Sequence, residues 1–291
     1  MRVCVVGATG VLGRNLVPLL ARLGHSIRAL ARRPPEEAPP AITGVAEYAE
    51  CDLLSPESAS RLPYWLDGCD AVINIATAIP PDFNAPGAWD RNSRLRREAT
   101  ERLLTNSVAA GVKRYIQESI TMAYVPGGDQ WLDESTPFDR LPERAETCGP
   151  VIDMEAMVRA ARELECVILR GGMFVGPGTF QEGLAADLRN GRAVVPGDGS
   201  SFISPIHVAD MAEAVAAALT EAPPGSIFNV VDEPVRHGDY MDRLARIMGA
   251  PPPPRDRSLP PVPSQRCTNR AARQVLGWAP VHGIWPVLRA A

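Results

Sequence analysis

The chain has 291 residues, 45% of them hydrophobic, and a formal net charge of −4. That much apolar surface supports one large globular domain, or a large one with a lobe, and excludes a disordered chain. The lack of a basic excess argues against nucleic acid or anionic lipid as a partner. Six scattered cysteines with no C-x-x-C pair, and four dispersed histidines, suggest buried thiols and neither a metal site nor a disulfide frame. The first apolar run, Val3 to Val6, is too short for a signal segment or a membrane span, so the expected location is the cytoplasm.

Taken in chain order, residues 2–6 form an apolar strand that runs into a turn with glycines at 7, 10 and 13. A parallel strand that ends in glycines and restarts as a helix aims free backbone N–H groups and the positive end of the helix dipole at a crevice, where a pyrophosphate fits. The helix after it is marked by Leu12, Leu16, Leu19, Leu20 and Leu23, spaced by threes and fours, with Gly24 as its C-terminal cap. Further strands are expected near 26–31, 45–50, 71–75, 113–118, 165–170 and 226–231, with helices between most of them. This is the βαβ rhythm of a doubly wound parallel sheet. Prolines concentrate at 34–40 and 251–263, which read as extended connectors, the second leading into a small C-terminal lobe. The expected division is a Rossmann-type domain over 1–175, joined by the strand near 226–231, and a smaller substrate lobe from 176–225 and 232–291.

Eight segments together resemble the extended short-chain dehydrogenase/reductases, the NAD-dependent epimerase/dehydratase family. They are Gly7 to Gly13, Cys51-Asp52-Leu53, Asn74 to Thr77, Ser119 to Tyr124, Arg170 to Gly178, Pro205 to Asp210, Phe228 to Val231 and Leu276 to Pro280. They follow the family's order across nearly the whole chain. The resemblance implies a dinucleotide-binding domain with a substrate lobe built from later segments.

The glycine turn carries the cofactor reading: Gly7 for the tight turn, Gly10 for close approach to the pyrophosphate and Gly13 for helix–strand packing, with Thr9, Val11 and Leu12 between them. An acidic residue at the end of the second strand would bond a ribose 2′-hydroxyl and repel a phosphate, but Arg32 and Arg33 stand there, which favours NADP over NAD. The resemblance further implies that Asp52, with Leu53, faces the adenine and that Ala76 and Thr77 line the nicotinamide side.

The family's usual Tyr-x-x-x-Lys is absent, and Lys113, the chain's single lysine, lies before Tyr115. Aligning Glu155 with the glutamate that often follows the family's lysine puts Thr147 at the tyrosine position and Val151 at the lysine position. An unassisted phenol is ionised in only about one molecule per thousand at neutral pH, so the missing cation matters. The remaining candidates for polarising a substrate are Ser119, Tyr124 and Thr121 after the fifth strand. Glu118, Cys148 and Asp153 are further titratable groups nearby.

Sugar-nucleotide members of the family carry an arginine where Ile203 stands, which speaks against such a substrate. Arg266 and Arg270 are candidates for holding an anionic group, Met173, Phe174 and Phe202 for an apolar wall, and His207 with Asp210 for orienting the turn into the helix after them. A homodimer through helices at about 91–110 and 152–163 would use Met154, Met157, Val158 and Ala161, residues that also suit a core against the sheet. Three readings stand: an NADP(H)-dependent oxidoreductase or epimerase acting on a small carbonyl or hydroxyl compound, a non-catalytic dinucleotide-binding sensor, and a non-redox isomerase or cyclase.

Overall fold

The computed structural model describes residues 1–80, 82 and 85–286. Its centre is a seven-stranded, wholly parallel sheet. We number these strands β1 (Arg2–Val6), β2 (Ser26–Ala31), β3 (Glu47–Glu50), β4 (Ala71–Asn74), β5 (Arg114–Ile120), β6 (Glu165–Gly171) and β7 (Ile227–Val230). Every strand expected from the sequence is present. Across the sheet the order is β7-β6-β5-β4-β1-β2-β3, which reverses between β1 and β4. A crevice opens at that reversal, outside the carboxyl ends of the two strands.

Both faces of the sheet are covered, as its near-continuous apolar strands require. On one face α1 (Val11–Arg22) buries Leu12, Leu16, Val17 and Leu20 against β1. On the other lie α2 (Asp90–Arg94), a π turn over Leu95–Ala99, α3 (Thr100–Ala109) and α4 (Ala145–Ala160). Met154 and Val158 of α4 are buried within the chain, so of the two uses open to that stripe these two residues serve the core. Helix α4 starts at Ala145, seven residues before the expected 152, because Gly149 and Pro150 are accommodated inside it.

The lobe has its own small core of Val175, Leu188, Val195, Tyr240, Met241, Leu244 and Ile284. It is built mainly from α5 (Phe180–Arg189) and α7 (His237–Ile247). The expected division needs one correction. Helix α6 (Val208–Glu221) falls in the stretch assigned to the lobe, yet it packs along α1, and with α8 (Arg270–Leu276) it completes the core of the sheet. Val208, Met211, Ala212, Val215 and Leu219 are all buried there.

The first proline-rich stretch is more ordered than a connector, with a 3-10 turn at Pro35–Glu37 and a single helical turn at Pro40–Thr43. All six cysteines are buried and unpaired. Among the described residues no helix is long and apolar enough to cross a membrane.

Candidate active site

The three glycines of the turn after β1 do different work. Gly7 has a φ of 93°, and a Cβ there would lie 2.8 Å from the Ala76 backbone, so the turn needs glycine for conformation and for room. A Cβ on Gly13 would lie 2.2 Å from the Ala8 carbonyl oxygen, which is the close helix–strand approach. Gly10 is the residue before α1; its Cβ would meet only the Gly7 oxygen at 3.2 Å, and otherwise it faces open space. Helix geometry leaves the first-turn N–H groups at Val11, Leu12 and Gly13 without an acceptor within the helix.

One pocket gathers most of the expected cofactor residues. Gly7, Thr9, Gly10, Arg32, Arg33, Asp52, Leu53, Ala76 and Thr77 line it, whereas Val11, Leu12 and Gly13 do not. Leu12 turns its side chain into the core, and Gly13 backs the helix against the strand. Arg14 and Arg91 also line the pocket and were not foreseen. Arg14 follows directly on the glycine turn, but Arg91 arrives from α2, 39 residues after Asp52, and no local signal announces it. Its Nη2 donates to both carboxylate oxygens of Asp52 at 2.9 Å. Burial pushes the Asp52 carboxyl up, but the bonds from Arg91 and the Leu54 N–H, with the charges of Arg91 and Arg32, outweigh it and hold it below the usual range.

The pocket wall therefore carries four arginines against one aspartate. A relay of amides fixes the loop after β4: Gln117 Oε1 accepts from Tyr115 and from Asn74 Nδ2, and Asn74 Oδ1 accepts from the Ala76 N–H.

The hydroxyl candidates have a different setting. Ser119 and Arg170 are register partners on β5 and β6, and Glu155 of α4 reaches down between them. Ser119 Oγ donates to Glu155 Oε1 at 2.7 Å, and Arg170 donates from Nε and Nη2 to the two Glu155 oxygens at 2.9 and 2.7 Å. Tyr124 donates to Asn229 Oδ1 at 2.7 Å and accepts from Arg170 Nη1 at 2.6 Å. Ser119, Tyr124 and Glu155 are fully buried. Burial pushes the Tyr124 hydroxyl well above the usual phenol range, against the pull of Arg170. Thr121 is buried too, its Oγ1 donating to the Gly171 carbonyl at 3.4 Å. The three hydroxyls expected to meet a substrate are thus buried, with Ser119 and Tyr124 inside a closed side-chain network. Thr147 donates to the Arg144 carbonyl, and Val151 is buried, so neither restores a tyrosine–lysine pair.

His207 accepts from the Ala209 N–H at the start of α6, and Asp210 accepts from the N–H groups of Val281 and His282 and pairs with His282 Nδ1 at 2.7 Å. His207 orients the turn, as expected, whereas Asp210 ties the start of α6 to the segment at Val281 and His282. Arg266 lies between the rings of Trp131 and Phe202, so Phe202 stacks on a cation. Phe174 packs against the core of the sheet and Met173 against that of the lobe.

The model of the NAD dependent epimerase/dehydratase family matches residues 3–230. The chain belongs to this family. It is 34% identical to a 3-diazoavenalumate denitrifying reductase from a Streptomyces species, over 98% of each chain. It is 28% identical to a 4-hydroxy-2-methyl-3-oxo-4-farnesyl-3,4-dihydroquinoline-1-oxide ketoreductase from Stigmatella aurantiaca, over 86% of this chain and 74% of that one. Among solved structures it resembles MoeE5 in complex with UDP-glucuronic acid and NAD, with a TM-score of 0.79 and 25% identity over 97% of this chain and 95% of that one.

Proposed function

We propose that this family member is an NADP(H)-dependent reductase that delivers hydride to a small electrophilic substrate, a carbonyl compound in the first instance. The observation that carries the reading is the wall of four arginines, Arg14, Arg32, Arg33 and Arg91, facing one carboxylate that Arg91 already neutralises. A pyrophosphate alone does not call for so much positive charge beside a helix N-terminus; a dinucleotide with a further 2′-phosphate does. Arg32 and Arg33 are both exposed at the end of β2, where the ribose of a dinucleotide on this turn would lie. The names of two relatives, a denitrifying reductase and a ketoreductase, support reduction as the reaction class.

The glycine turn and the N–H groups of Val11, Leu12 and Gly13 would hold the pyrophosphate, Arg32 and Arg33 the 2′-phosphate, and Ala76 and Thr77 the nicotinamide side. The bound dinucleotide supplies the hydride. A nucleotide-sugar substrate is not carried over from the structural relatives, because Ile203, which stands where the family's diphosphate-binding arginine would be, packs into the lobe's core.

Titration calorimetry tests the reading. NADPH is expected to bind more tightly than NADH, and label from C4-deuterated NADPH to appear in the product of at least one compound from a ketone and quinone panel. No heat with either dinucleotide would overturn it.

A further inference from the structure

Asp52 puts a carboxylate beside the place of the 2′-phosphate. Strands β2 and β3 run side by side with Ala31 opposite Glu50, and the Cys51 N–H donates to the Ala31 carbonyl at 2.8 Å just past the paired residues. Arg32 and Asp52 are the next residues along the two segments, and both line the pocket with Arg33. A phosphate gripped by Arg32 and Arg33 therefore has Asp52 for a neighbour. A bare carboxylate so close favours a ribose hydroxyl and repels a phosphate.

Arg91 removes that obstacle. Its Nη2 donates to both Asp52 oxygens at 2.9 Å, and the pair is half-buried. Each partner is aimed by its own surroundings. The Asp52 N–H donates to Ser58 Oγ at 3.2 Å, and Asp52 Oδ1 also accepts from the Leu54 N–H at 3.1 Å. Asn92, buried next to Arg91 in the chain, accepts from the Ala78 N–H at 3.0 Å and so fixes the start of α2 to the loop after β4. Arg14 is drawn away, its Nε donating to the Thr9 carbonyl at 3.0 Å. Among the described residues Arg91 is the one arginine of the wall that closes an ion pair with Asp52. The pairing cancels the charge of Asp52 but not its capacity to accept, since Oδ2, bonded to Arg91 alone among the described residues, keeps a lone pair.

We propose that Arg91 is a specificity-determining residue, which sets the preference for NADP(H) through Asp52 and without touching the 2′-phosphate itself. The inference rests on the NADP(H) reading above. With Arg91 in place, the carboxylate does not oppose the phosphate and keeps a lone pair for the base or the ribose. Without it, the same carboxylate repels the phosphate and accepts from a ribose hydroxyl, and the site turns toward NAD(H).

Titration calorimetry with NADPH and NADH on wild type, Arg91→Ala, Asp52→Asn and the double variant tests this. Arg91→Ala should weaken NADPH by at least about tenfold and leave NADH unchanged or tighter. Asp52→Asn, which keeps an acceptor oxygen but no charge, should bind NADPH at least as tightly as wild type. The double variant should recover more than half of the NADPH loss on a logarithmic scale, because removing Arg91 matters only while Asp52 is charged. The half-buried pair adds little to stability, so all three variants should fold, with unfolding midpoints near that of wild type. An arginine that merely shaped the wall would cost both dinucleotides alike and would not be rescued. Equal losses of NADPH and NADH in Arg91→Ala, wild-type NADPH affinity in that variant, or a double variant that recovers less than half, overturns the inference while the wild-type preference for NADPH stands. A wild type that binds NADH as tightly as NADPH removes the reading on which it rests.

Discussion

The two ends of the crevice are built from different materials. At the β1 end the wall is main chain, with glycines that leave N–H groups bare and exposed arginines around them. Behind the β5 end it is side chain, where Ser119, Glu155, Arg170, Tyr124 and Asn229 bond one another away from the pocket with almost no water access. A main-chain site tolerates exchange of the side chains around it, whereas a buried network fails when one charge of its central ion pair is lost. The remodelled catalytic motif falls in the part where each residue depends on several others.

The strongest way to expose that contrast is to break the network at its centre. Arg170→Met leaves the buried Glu155 with the Ser119 hydroxyl and, as its one other ion-pair partner among the described residues, Arg159 at 3.9 Å, and removal of one partner of a buried ion pair costs about 3–5 kcal/mol. Denaturant unfolding should show a loss of that size, with little change in NADPH affinity for whatever protein remains folded. An unchanged midpoint would mean that the Arg170–Glu155 pair contributes nothing net to stability.

A second prediction turns on pH. The Glu118 carboxyl sits at about 7 in the folded protein and near 4.5 in the unfolded chain. The folded state therefore binds the extra proton between those values, and stability falls as pH rises through the window. At 1.36 kcal/mol per pH unit the fall amounts to roughly 3 kcal/mol, present in full below 4.5 and lost above 7. Glu118→Gln should remove this slope and melt at a higher temperature than wild type at pH 8. Parallel curves for the two proteins would show that Glu118 is not protonated by burial.

At the main-chain end the expected effects are smaller and selective. A charge-assisted contact to the 2′-phosphate is worth roughly 1.5–3 kcal/mol, so loss of one such contact in Arg32→Ala with Arg33→Ala should weaken NADPH by at least about ten- to over a hundredfold and NADH much less. Equal losses would mean that the 2′-phosphate is read by Arg14 or Arg91.

The same contrast explains what the sequence disclosed. The glycine turn and all seven strands are legible because their signals are local: positive-φ demands, β-branched runs and the repeat of leucines in α1. The part of α6 was misjudged because its apolar face fits either a lobe or a sheet, and only the contact with α1 decides. Arg91 and Arg96 read as ordinary surface charges, since nothing near them in sequence shows that one will meet Asp52 and the other will be buried, and Glu118 stands out as a titratable group while its burial does not. Ser119 and Tyr124 stood out by position, but their partners, Glu155, Arg170 and Asn229, come from segments 36 to 105 residues away.

Ser119 offers the finest comparison, because its two readings differ by a single hydroxyl. If it polarises a substrate, Ser119→Ala should depress hydride transfer with little effect on folding. In the structure its Oγ donates only to Glu155, which Arg170 already grips through two nitrogens. The network should then tolerate the loss at about 1 kcal/mol, the usual net worth of one hydrogen bond. Hydride transfer and NADPH affinity should stay near wild type, because the hydroxyl has no surface on the crevice. A fall in rate without a fall in stability would mean that the network opens when substrate binds and that Ser119 turns outward to meet it.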